Sequence, residues 1–436
     1  MGNFTREEIL QMVEDEDVEF IRLQFTDMFG ALKNIAITTR ELPRALDNRC
    51  IVNGEQISGM TADKGTDLYL HPVCDTFSIL PWRPQQGKVA RMICDLYCPD
   101  GTPYKNSPRY ILDRVVTEAE KEGYTCYIYP ECEFFLFHTD DNGNPTTVTH
   151  EQAGYLDMSP LDLGENARRD MVLTLEDMGL DVESSHHEAA PAQHEIDFRY
   201  GEIRNIADCV MTFKMAVRIV ARRHGLHATF MPKPRTEFEG SGMHLQFSLL
   251  SKGKNIFESE DDQQKLSEEA YYFIGGLLAH SKEMALITNP LVNSYKRLVP
   301  GYDAPTEITW TQHNQNSLVR IPSMIRGDGI RVELRSPDAA ADPYLVLAVC
   351  YAAGLDGIRN KINPAKCSNI NEQTNQTEHL PETLKEAITY FEESDWIKGV
   401  LGEEFCKEYI AQKNNEWLRY IRQVTDWEVS EYLYRV

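Results

Sequence analysis

Pairs of carboxylates two residues apart are the features of this sequence most able to do chemistry. Glu131 and Glu133 alternate with apolar residues in a predicted strand. Glu195 and Asp197 do the same, just after the run HHE at residues 186–188. Side chains two apart on a strand share a face, and carboxylates that share a half-buried face repel one another unless a cation lies between them. For the first pair alone, a solvated edge strand is an equally good interpretation.

Two further segments repeat this alternation. The shared face of one carries His244, Gln246 and Ser248. The shared face of the other carries Arg331, Glu333 and Arg335. The glutamates and the histidine could form two sites for a hard cation, Mg²⁺ or Mn²⁺, whereas zinc prefers Cys and His. The candidate ligands are Glu131, Glu133, Glu188, Glu195, Glu333 and His244. A lone histidine is usually structural, so the assignment of His244 depends on the glutamates around it.

Cationic side chains gather near the last of these segments. Residues 296–335 contain Lys296, Arg297, Arg320, Arg326, Arg331 and Arg335. Arginine forks bind phosphate and carboxylate groups through paired hydrogen bonds, so these residues could hold an anionic substrate over the metals. Salt bridges to the surplus acidic residues are the alternative. The sequence has no P-loop, GxGxxG or HExxH motif. Spacing alone therefore predicts metal-assisted phosphoryl chemistry and no further detail.

The overall charge excludes several classes of partner. The chain of 436 residues has 44 Lys and Arg against 68 Asp and Glu, which gives a formal charge of −24. This balance argues against nucleic acid and against an anionic membrane surface. The first residues are polar with no apolar segment after them, and the ten cysteines are scattered, so we expect a cytoplasmic protein with free thiols. The longest strongly apolar stretch, residues 344–355, predicts a buried helix.

The pattern of elements indicates two domains. Thr5 and Glu8 form a capping box before a short helix, and residues 21–37 have the alternation of a β-hairpin. Strand-like segments continue to about residue 104, and Ser107 and Pro108 then begin a clear helical period. Later helices are predicted at residues 167–178 and 207–223, with an exposed polar loop at 363–379 and helices from 380 onward.

Long ordered motifs give the sequence a resemblance to a known family. The stretches include ECEFFLF, SSHHEAAPAQHEIDF, GSGMH, NPLVNSYKRLVPGYDAP and RVELRSPD. With these, nearly the whole chain resembles glutamine synthetase of the bacterial type I class. The resemblance implies an α+β fold, with a β-grasp-like domain at residues 1–104. It implies a catalytic domain at residues 105–436, whose curved antiparallel sheet forms a half-barrel flanked by helices. It also implies two stacked hexameric rings, with each active site between neighbouring subunits.

The resemblance also implies roles for individual residues. In the family, ATP phosphorylates the γ-carboxylate of glutamate, and ammonia then displaces phosphate. One metal would be held by Glu133, Glu188 and Glu195, and the other by Glu131, His244 and Glu333. Glutamate would be bound by Arg297 and Arg335, beside Glu133, Glu239 and Gly240. The nucleotide would contact Ser248, Arg320 and Arg331.

The sequence departs from the family at several of these positions. Asn53 replaces the aspartate that binds ammonium and takes its proton, and an amide cannot act as a base. Gln315 replaces an arginine that meets the transferring phosphoryl group, an interaction worth about 1.5–3 kcal/mol. Asp303 is one methylene shorter than the family's flap glutamate, and Glu239 replaces an asparagine. One extra residue leaves the alignment of Arg326 open.

Three functions are compatible with these departures. The first is a glutamine synthetase, with turnover slowed by the lost groups. The second is a ligase that joins glutamate to an organic amine, because the loss of a carboxylate at Asn53 could open the ammonium pocket. The third is a catalytically weak paralogue that binds nucleotide and metal in a regulatory role, for which the lost charge at Gln315 is the reason.

Overall fold

The structure is a computed structural model, and it describes most of the chain. The described residues are 4–60, 67–83, 86–259, 262, 265–312, 317–323, 329–365, 367 and 378–436.

The N-terminal part forms a six-stranded sheet. Its elements are α1 (Arg6–Asp15), β1 (Val18–Thr26), β2 (Leu32–Thr38), α2 (Leu42–Leu46), β3 (Cys50–Asn53), β4 (Asp67–Pro72), β5 (Ser78–Ile79) and β6 (Lys88–Tyr97). The strand order is β2-β1-β6-β4-β3, with β5 paired to β6 and β1 parallel to β6. The capping box of Thr5 and Glu8 and the β1-β2 hairpin are both confirmed. Ile9 of α1 packs with Ile21, Leu23 and Met92 in the core of this sheet.

The second part is a larger sheet of ten strands, covered by helices. Its first elements are α3 (Pro108–Lys121), β7 (Tyr124–His138), α4 (Glu165–Asp177), β8 (Val182–His187), β9 (Gln193–Phe198), β10 (Gly201–Glu202), α5 (Ile203–Arg223), β11 (Leu226–Thr229), β12 (Met243–Ser251) and β13 (Lys254–Asn255). The rest are α6 (Glu268–Ala279), α7 (Ser281–Thr288), α8 (Ser294–Arg297), β14 (Trp310–Thr311), β15 (Val319–Arg320), β16 (Val332–Leu334), α9 (Pro343–Asn360), α10 (Leu384–Glu393), α11 (Asp395–Leu401), α12 (Glu403–Tyr420) and α13 (Asp426–Tyr432). The main strand order is β14-β15-β16-β12-β7-β9-β8. Among the described residues, every pairing in this sheet is antiparallel except β14 with β15.

Two predicted elements need correction. Helix α5 begins at Ile203, four residues before the predicted start at 207, because the Glu202 side chain accepts hydrogen bonds from the N–H groups of Arg204 and Asn205. Glutamate is not among the preferred residues for a helix N-cap, so the sequence carried no clear start signal. The strand predicted around Glu333 is limited to Val332–Leu334, and Arg331 and Arg335 therefore lie just outside it.

The buried helix α9 anchors the helical layer. It confirms the prediction for residues 344–355, and Asp342 caps its first turn through a hydrogen bond from Leu345 N–H. A Cβ at Gly276 of α6 would lie 2.0 Å from the carbonyl oxygen of Ala353, and one at Gly357 would lie 2.0 Å from that of Tyr272. Only glycine allows the backbones of α6 and α9 to approach this closely.

A partly buried ionic network joins the first sheet to helices α3 and α5. The Arg109 guanidinium of α3 pairs with Asp95 of β6 and, at 3.0 Å, with Asp208 of α5. The Tyr344 hydroxyl donates to the same Asp208 carboxylate at 2.6 Å. The domain boundary predicted between residues 104 and 105 falls in the connection between β6 and α3, and its position stays a prediction.

The structure bears on disulfide bonds and on membrane-spanning helices. None of the ten cysteines, all of which the structure describes, forms a disulfide bond, as predicted. Among the described residues, no helix is long and apolar enough to cross a membrane.

Candidate metal and substrate site

Strand β7 organises the candidate site through its register with its neighbours. Glu131 lies opposite His244 of β12, and Glu133 lies opposite Glu195 of β9. On the far side of β12, Glu333 of β16 lies opposite Gln246. Side chains at directly opposed positions are neighbours on the same face of a sheet. The alternation predicted from the sequence therefore brings residues from four strands to one surface.

The first cluster consists of Glu131, His244 and Glu333. A ligand atom from each lies within 4.8 Å of the others, and His244 Nδ1 is 3.2 Å from Glu131 Oε2. Burial, and after it the Arg335 charge, lower the pKa of His244 to about 3. The imidazole is therefore neutral, and its buried Nε2 atom has no hydrogen-bond partner. Two carboxylates and a neutral imidazole form a donor set suited to a divalent cation.

Two arginines compensate the charge of Glu333, which is fully buried. Arg320 Nε lies 2.5 Å from Glu333 Oε2, and Arg335 Nη1 lies 2.9 Å from Glu333 Oε1. Arg335 also pairs at 3.3 Å with Asp303, the residue at the predicted flap position. The structure thus places Arg320, Arg335 and Asp303 at the cluster, while their predicted contacts with nucleotide and glutamate stay predictions.

The second cluster includes a residue that the sequence reasoning missed. Ligand atoms of His186, Glu188 and Glu195 lie within 4.8 Å of one another, and His186 Nε2 is 2.8 Å from Glu188 Oε1. The resemblance implied Glu133 as the third member, and Glu133 lies beside this cluster, opposite Glu195. The HHE run was the available signal for His186, which directly faces Glu195 across β8 and β9.

Burial and like charge raise the pKa values of two of these carboxyls. The pKa of Glu133 is raised to about 8, first by burial and then by the nearby Glu188 carboxylate. The pKa of Glu195 is raised well above its usual value, first by burial and then by Asp197. Crowded carboxyls with raised pKa values are typical of a site that receives a positive charge.

Arg297 and a glycine loop lie against the same surface. The Arg297 side chain is buried, and its guanidinium donates to the carbonyl oxygens of Ser336, at 2.8 Å, and Arg335, at 3.1 Å. A Cβ at Gly242 would lie 2.7 Å from Arg297 Nη2, and one at Gly240 would lie 2.2 Å from the carbonyl oxygen of Pro232. The position of Gly240 therefore requires glycine, because the contact would be with backbone, whereas a side chain at Gly242 would have to displace Arg297 and His244. The neighbouring Glu239 is half-buried.

A cavity of about 590 Å³ opens beside the clusters. It is lined by Tyr127, Tyr129, Glu183, Arg199, Tyr200, Gln246, Ser248, Leu250, Asn255, Glu258, Gly329 and Arg331. The predicted nucleotide residues Ser248 and Arg331 meet in this cavity, and the Arg331 guanidinium lies 5.1 Å from the centre of the Tyr129 ring. Aromatic and cationic walls suit a planar, negatively charged ligand.

Asn53, at which the sequence departs from the family, does not lie on the surface that carries the ligand clusters. Asn53 lies at the end of β3 in the other sheet, opposite Asp67, and is exposed. Its Oδ1 atom accepts a hydrogen bond from Glu55 N–H at 2.9 Å. The predictions for Gln315 and Arg326 lie outside the described residues, as does most of the predicted loop at 363–379.

A third buried group of potential ligands lies behind the second cluster. It consists of Glu151, Asp162, His187 and His194. Arg168 Nη1 lies 2.8 Å from both His194 Nδ1 and Asp162 Oδ2, so a protein cation already occupies this group. His187 pairs with Glu151 and with the Glu188 carbonyl oxygen. We interpret the group as an ion-pair network that holds the backbone of Glu188 in place through the hydrogen bond between His187 and the Glu188 carbonyl oxygen.

Comparison with known proteins places this chain in one family. Residues 105–432 match the family described as glutamine synthetase, catalytic domain, and residues 17–99 match glutamine synthetase, beta-Grasp domain. Glutamine synthetase of Clostridium saccharobutylicum is 52% identical over 441 residues, which cover 99% of each chain. That of Methanosarcina mazei is 48% identical over 437 residues, 98% of each chain. A solved structure described as a GmaS/ADP complex is 31% identical, with a TM-score of 0.89 over 97% of this chain and 99% of its own.

The fold and the site define a two-domain enzyme in which a curved half-barrel sheet, flanked by helices, carries acidic clusters that could hold metal ions. The chain belongs to the glutamine synthetase family and is an enzyme of that family. The α+β fold, with an N-terminal β-grasp domain and a catalytic domain, is thereby confirmed.

Proposed function

We propose that this enzyme forms glutamine from glutamate and ammonium with ATP, through γ-glutamyl phosphate. The observation that carries the proposal is the presence of two ligand clusters on the larger sheet, one of Glu131, His244 and Glu333 and the other of His186, Glu188 and Glu195. Within each cluster the ligand atoms lie within 4.8 Å of one another. The relatives named glutamine synthetase, at 52% and 48% identity over nearly the whole chain, support the same reaction.

The proposed reaction has two steps. The γ-carboxylate of glutamate attacks the terminal phosphorus of ATP and releases ADP, and ammonia then displaces phosphate from γ-glutamyl phosphate. Two divalent ions, Mg²⁺ or Mn²⁺, would neutralise charge on the phosphoryl oxygens when bound. We assign one ion to Glu133, Glu188 and Glu195, and the other to Glu131, His244 and Glu333.

The cationic side chains would hold the two anionic substrates. Arg331 and Ser248 line the cavity that we assign to ATP, with Arg320 facing the phosphates. Arg335, fixed between Glu333 and Asp303, presents a fork suited to a carboxylate of glutamate. Arg297, Gly240 and Glu239 would form the opposite wall of the glutamate pocket.

We also propose the ring assembly implied by the family and the cytoplasmic location expected from the sequence. Asn53 is exposed at the end of β3, in a different sheet from the ligand clusters. A position of this kind can reach an active site when the site is completed by a neighbouring subunit, as in two stacked hexameric rings.

An organic amine is the second candidate acceptor. The amide at Asn53 in place of an acid favours it. A catalytically weak paralogue with a regulatory role is the third candidate, favoured by the lost charge at Gln315.

One assay set separates the three candidates. Phosphate release is measured with Mg²⁺ or Mn²⁺, ATP and glutamate, first with ammonium and then with a panel of amines. Turnover with ammonium supports the first proposal, and turnover only with an amine supports the second. No turnover, together with ATP binding in calorimetry, supports the third, and no ATP binding contradicts all three.

Restoring the lost groups tests the roles of Asn53 and Gln315. The double variant Asn53→Asp, Gln315→Arg should raise ammonium-dependent turnover by about tenfold or more, because it restores a base and a phosphoryl contact. Asn142→Asp with Gln412→Arg makes the same charge changes at exposed positions and should leave turnover unchanged. Equal rates in both double variants would refute the assigned roles.

A further inference from the structure

We infer that Gln193 is a positioning residue that ties the candidate metal ligand Glu133 to the Gly240–Gly242 loop. Gln193 would thereby couple cation binding to glutamate binding. The inference rests on the proposed assignment of Glu133 to a metal and of this loop to glutamate.

The side-chain amide of Gln193 makes three hydrogen bonds. The side chain is 1% exposed and lies at the start of β9. Its Nε2 atom donates to Glu133 Oε2 at 2.8 Å and to the Gly240 carbonyl oxygen at 3.1 Å. Its Oε1 atom accepts from Ala190 N–H at 3.1 Å. Because an N–H must face an oxygen, these partners allow only one orientation of the amide.

These bonds select which oxygen of Glu133 faces the cation. Gly242 N–H also donates to Glu133 Oε2, at 2.9 Å, so this oxygen receives two hydrogen bonds. Among the described residues, the hydrogen bonds to the Glu133 carboxylate both fall on Oε2. The geometry therefore leaves Oε1 as the oxygen that Glu133 presents to a cation.

The same hydrogen bonds connect the candidate metal ligand Glu133 to the Gly240–Gly242 loop at two points. Glu133 is bonded to Gly242 directly and to Gly240 through Gln193. Ser241 N–H donates to the Pro232 carbonyl oxygen at 2.8 Å, so the middle of the loop is also held. If glutamate binding moves the loop, these hydrogen bonds move the Glu133 carboxylate with it. A cation bound to Glu133 would in turn restrict the position of the loop. Such coupling is reciprocal by thermodynamic necessity.

The test compares Gln193→Met with two matched glutamine-to-methionine variants. Methionine has a similar length and lacks the amide. Gln246→Met removes the donor to Glu131 without any bond to the glycine loop. Gln24→Met changes a buried glutamine of β1, in the other sheet, whose amide contacts Met215 Sδ at 3.3 Å.

The measurement is the calorimetric affinity for Mn²⁺ with and without saturating glutamate. The ratio of the two affinities is the coupling factor. Gln193→Met should weaken Mn²⁺ binding by about tenfold and bring the coupling factor to one, because groups that orient metal ligands typically contribute this much. Gln246→Met should weaken Mn²⁺ binding and keep the wild-type coupling factor. Gln24→Met should change neither value.

The outcomes separate the inference from the proposed function. If wild type binds Mn²⁺ with glutamate-dependent affinity and Gln193→Met does the same, the inference is wrong and the proposed function stands. If wild type binds no Mn²⁺, both are wrong. If Gln193→Met does not fold, Gln193→Asn keeps an amide at this position but withdraws it by one methylene from Glu133 and Gly240. The same loss of coupling is then expected, and unchanged coupling in that variant overturns the inference.

Discussion

Glu131 and His244 face each other across β7 and β12, with Glu131 Oε2 3.2 Å from His244 Nδ1. The carboxylate therefore contacts a ring whose pKa is held at about 3 by burial and by Arg335, so the pair does not form a stable ion pair with a charged histidine. With Nδ1–H donating to Glu131, the unpartnered Nε2 atom carries the ring's lone pair and can bind a cation without first losing a proton.

Removing the charge of Glu131 should weaken cation binding. Glu131→Gln keeps the shape of the side chain and is expected to lower Mn²⁺ affinity by about tenfold or more, because one anionic ligand is lost. Binding is measured by electron paramagnetic resonance of free Mn²⁺. Glu176→Gln, at an exposed position on α4, is the control and should bind like wild type. Wild-type affinity in Glu131→Gln would exclude this cluster as a metal site.

Metal affinity should depend on pH through Glu133. Its carboxyl pKa is raised to about 8, so a cation that binds below this pH must displace a proton. Mn²⁺ affinity should therefore rise by up to about tenfold per pH unit towards pH 8 and level off above it. Calorimetry from about pH 6.5 to about pH 8.5, in steps of about 0.5 pH units, measures how steeply the Mn²⁺ affinity rises with pH. Glu133→Gln should make this rise less steep. An affinity that falls as the pH rises would contradict the assignment.

The stability of the metal-free protein should show the opposite trend. The folded-state pKa of Glu133 lies above its ordinary value of 4.5, so between these pH values the folded state binds more protons than the unfolded state. Its contribution to the free energy of unfolding is fully present below about pH 4.5 and is lost as the pH rises through 8. With a chelator present to remove metal ions, the melting temperatures of wild type and Glu133→Gln are compared at each pH. The wild-type value minus the variant value should fall as the pH rises from about 4.5 to about 8. A relative melting temperature that rises with pH would disprove the raised pKa.

Arg297 should contribute to stability even without substrate. Its guanidinium donates to the carbonyl oxygens of Ser336 and Arg335, and it is 1% exposed. Arg297→Met would leave these buried oxygens without donors, at a cost of about 3 kcal/mol in the free energy of unfolding. Urea unfolding without ligands measures this cost. Arg435→Met, which removes an ion pair to Glu431 whose arginine is 71% exposed, should leave the urea midpoint unchanged. Equal midpoints for both variants would show that Arg297 has no structural role.

Local patterns predicted much of the fold, because the signals lie in adjacent residues. Alternation identified the shared face of Glu131 and Glu133, and the capping box of Thr5 and Glu8 located α1. The same local reasoning missed the start of α5, where Glu202 acts as an unusual cap. Roles for the site residues came from the resemblance to the family, and they stay predictions.

Register between distant strands could not be predicted from alternation. His186 faces Glu195 because β8 and β9 pair in a register that shifts between Val182 and Ser184. An irregularity of this kind changes which side chains share a face, and it leaves no periodic trace in the sequence. The bonds of Gln193 to Glu133 and Gly240 were missed for the same reason, since they join residues from three separate segments.

The central position of β7 has a consequence for the kinetics of folding. Its neighbours β9 and β12 supply Glu195 and His244, Glu188 directly follows β8, and Glu333 lies on β16 on the far side of β12. Contacts between positions this far apart in the chain form slowly, because the intervening loops must first be closed. Helices can form long before these strands pair. Cation binding would therefore report the completion of the sheet during refolding, a late event that the helical circular dichroism signal would not detect.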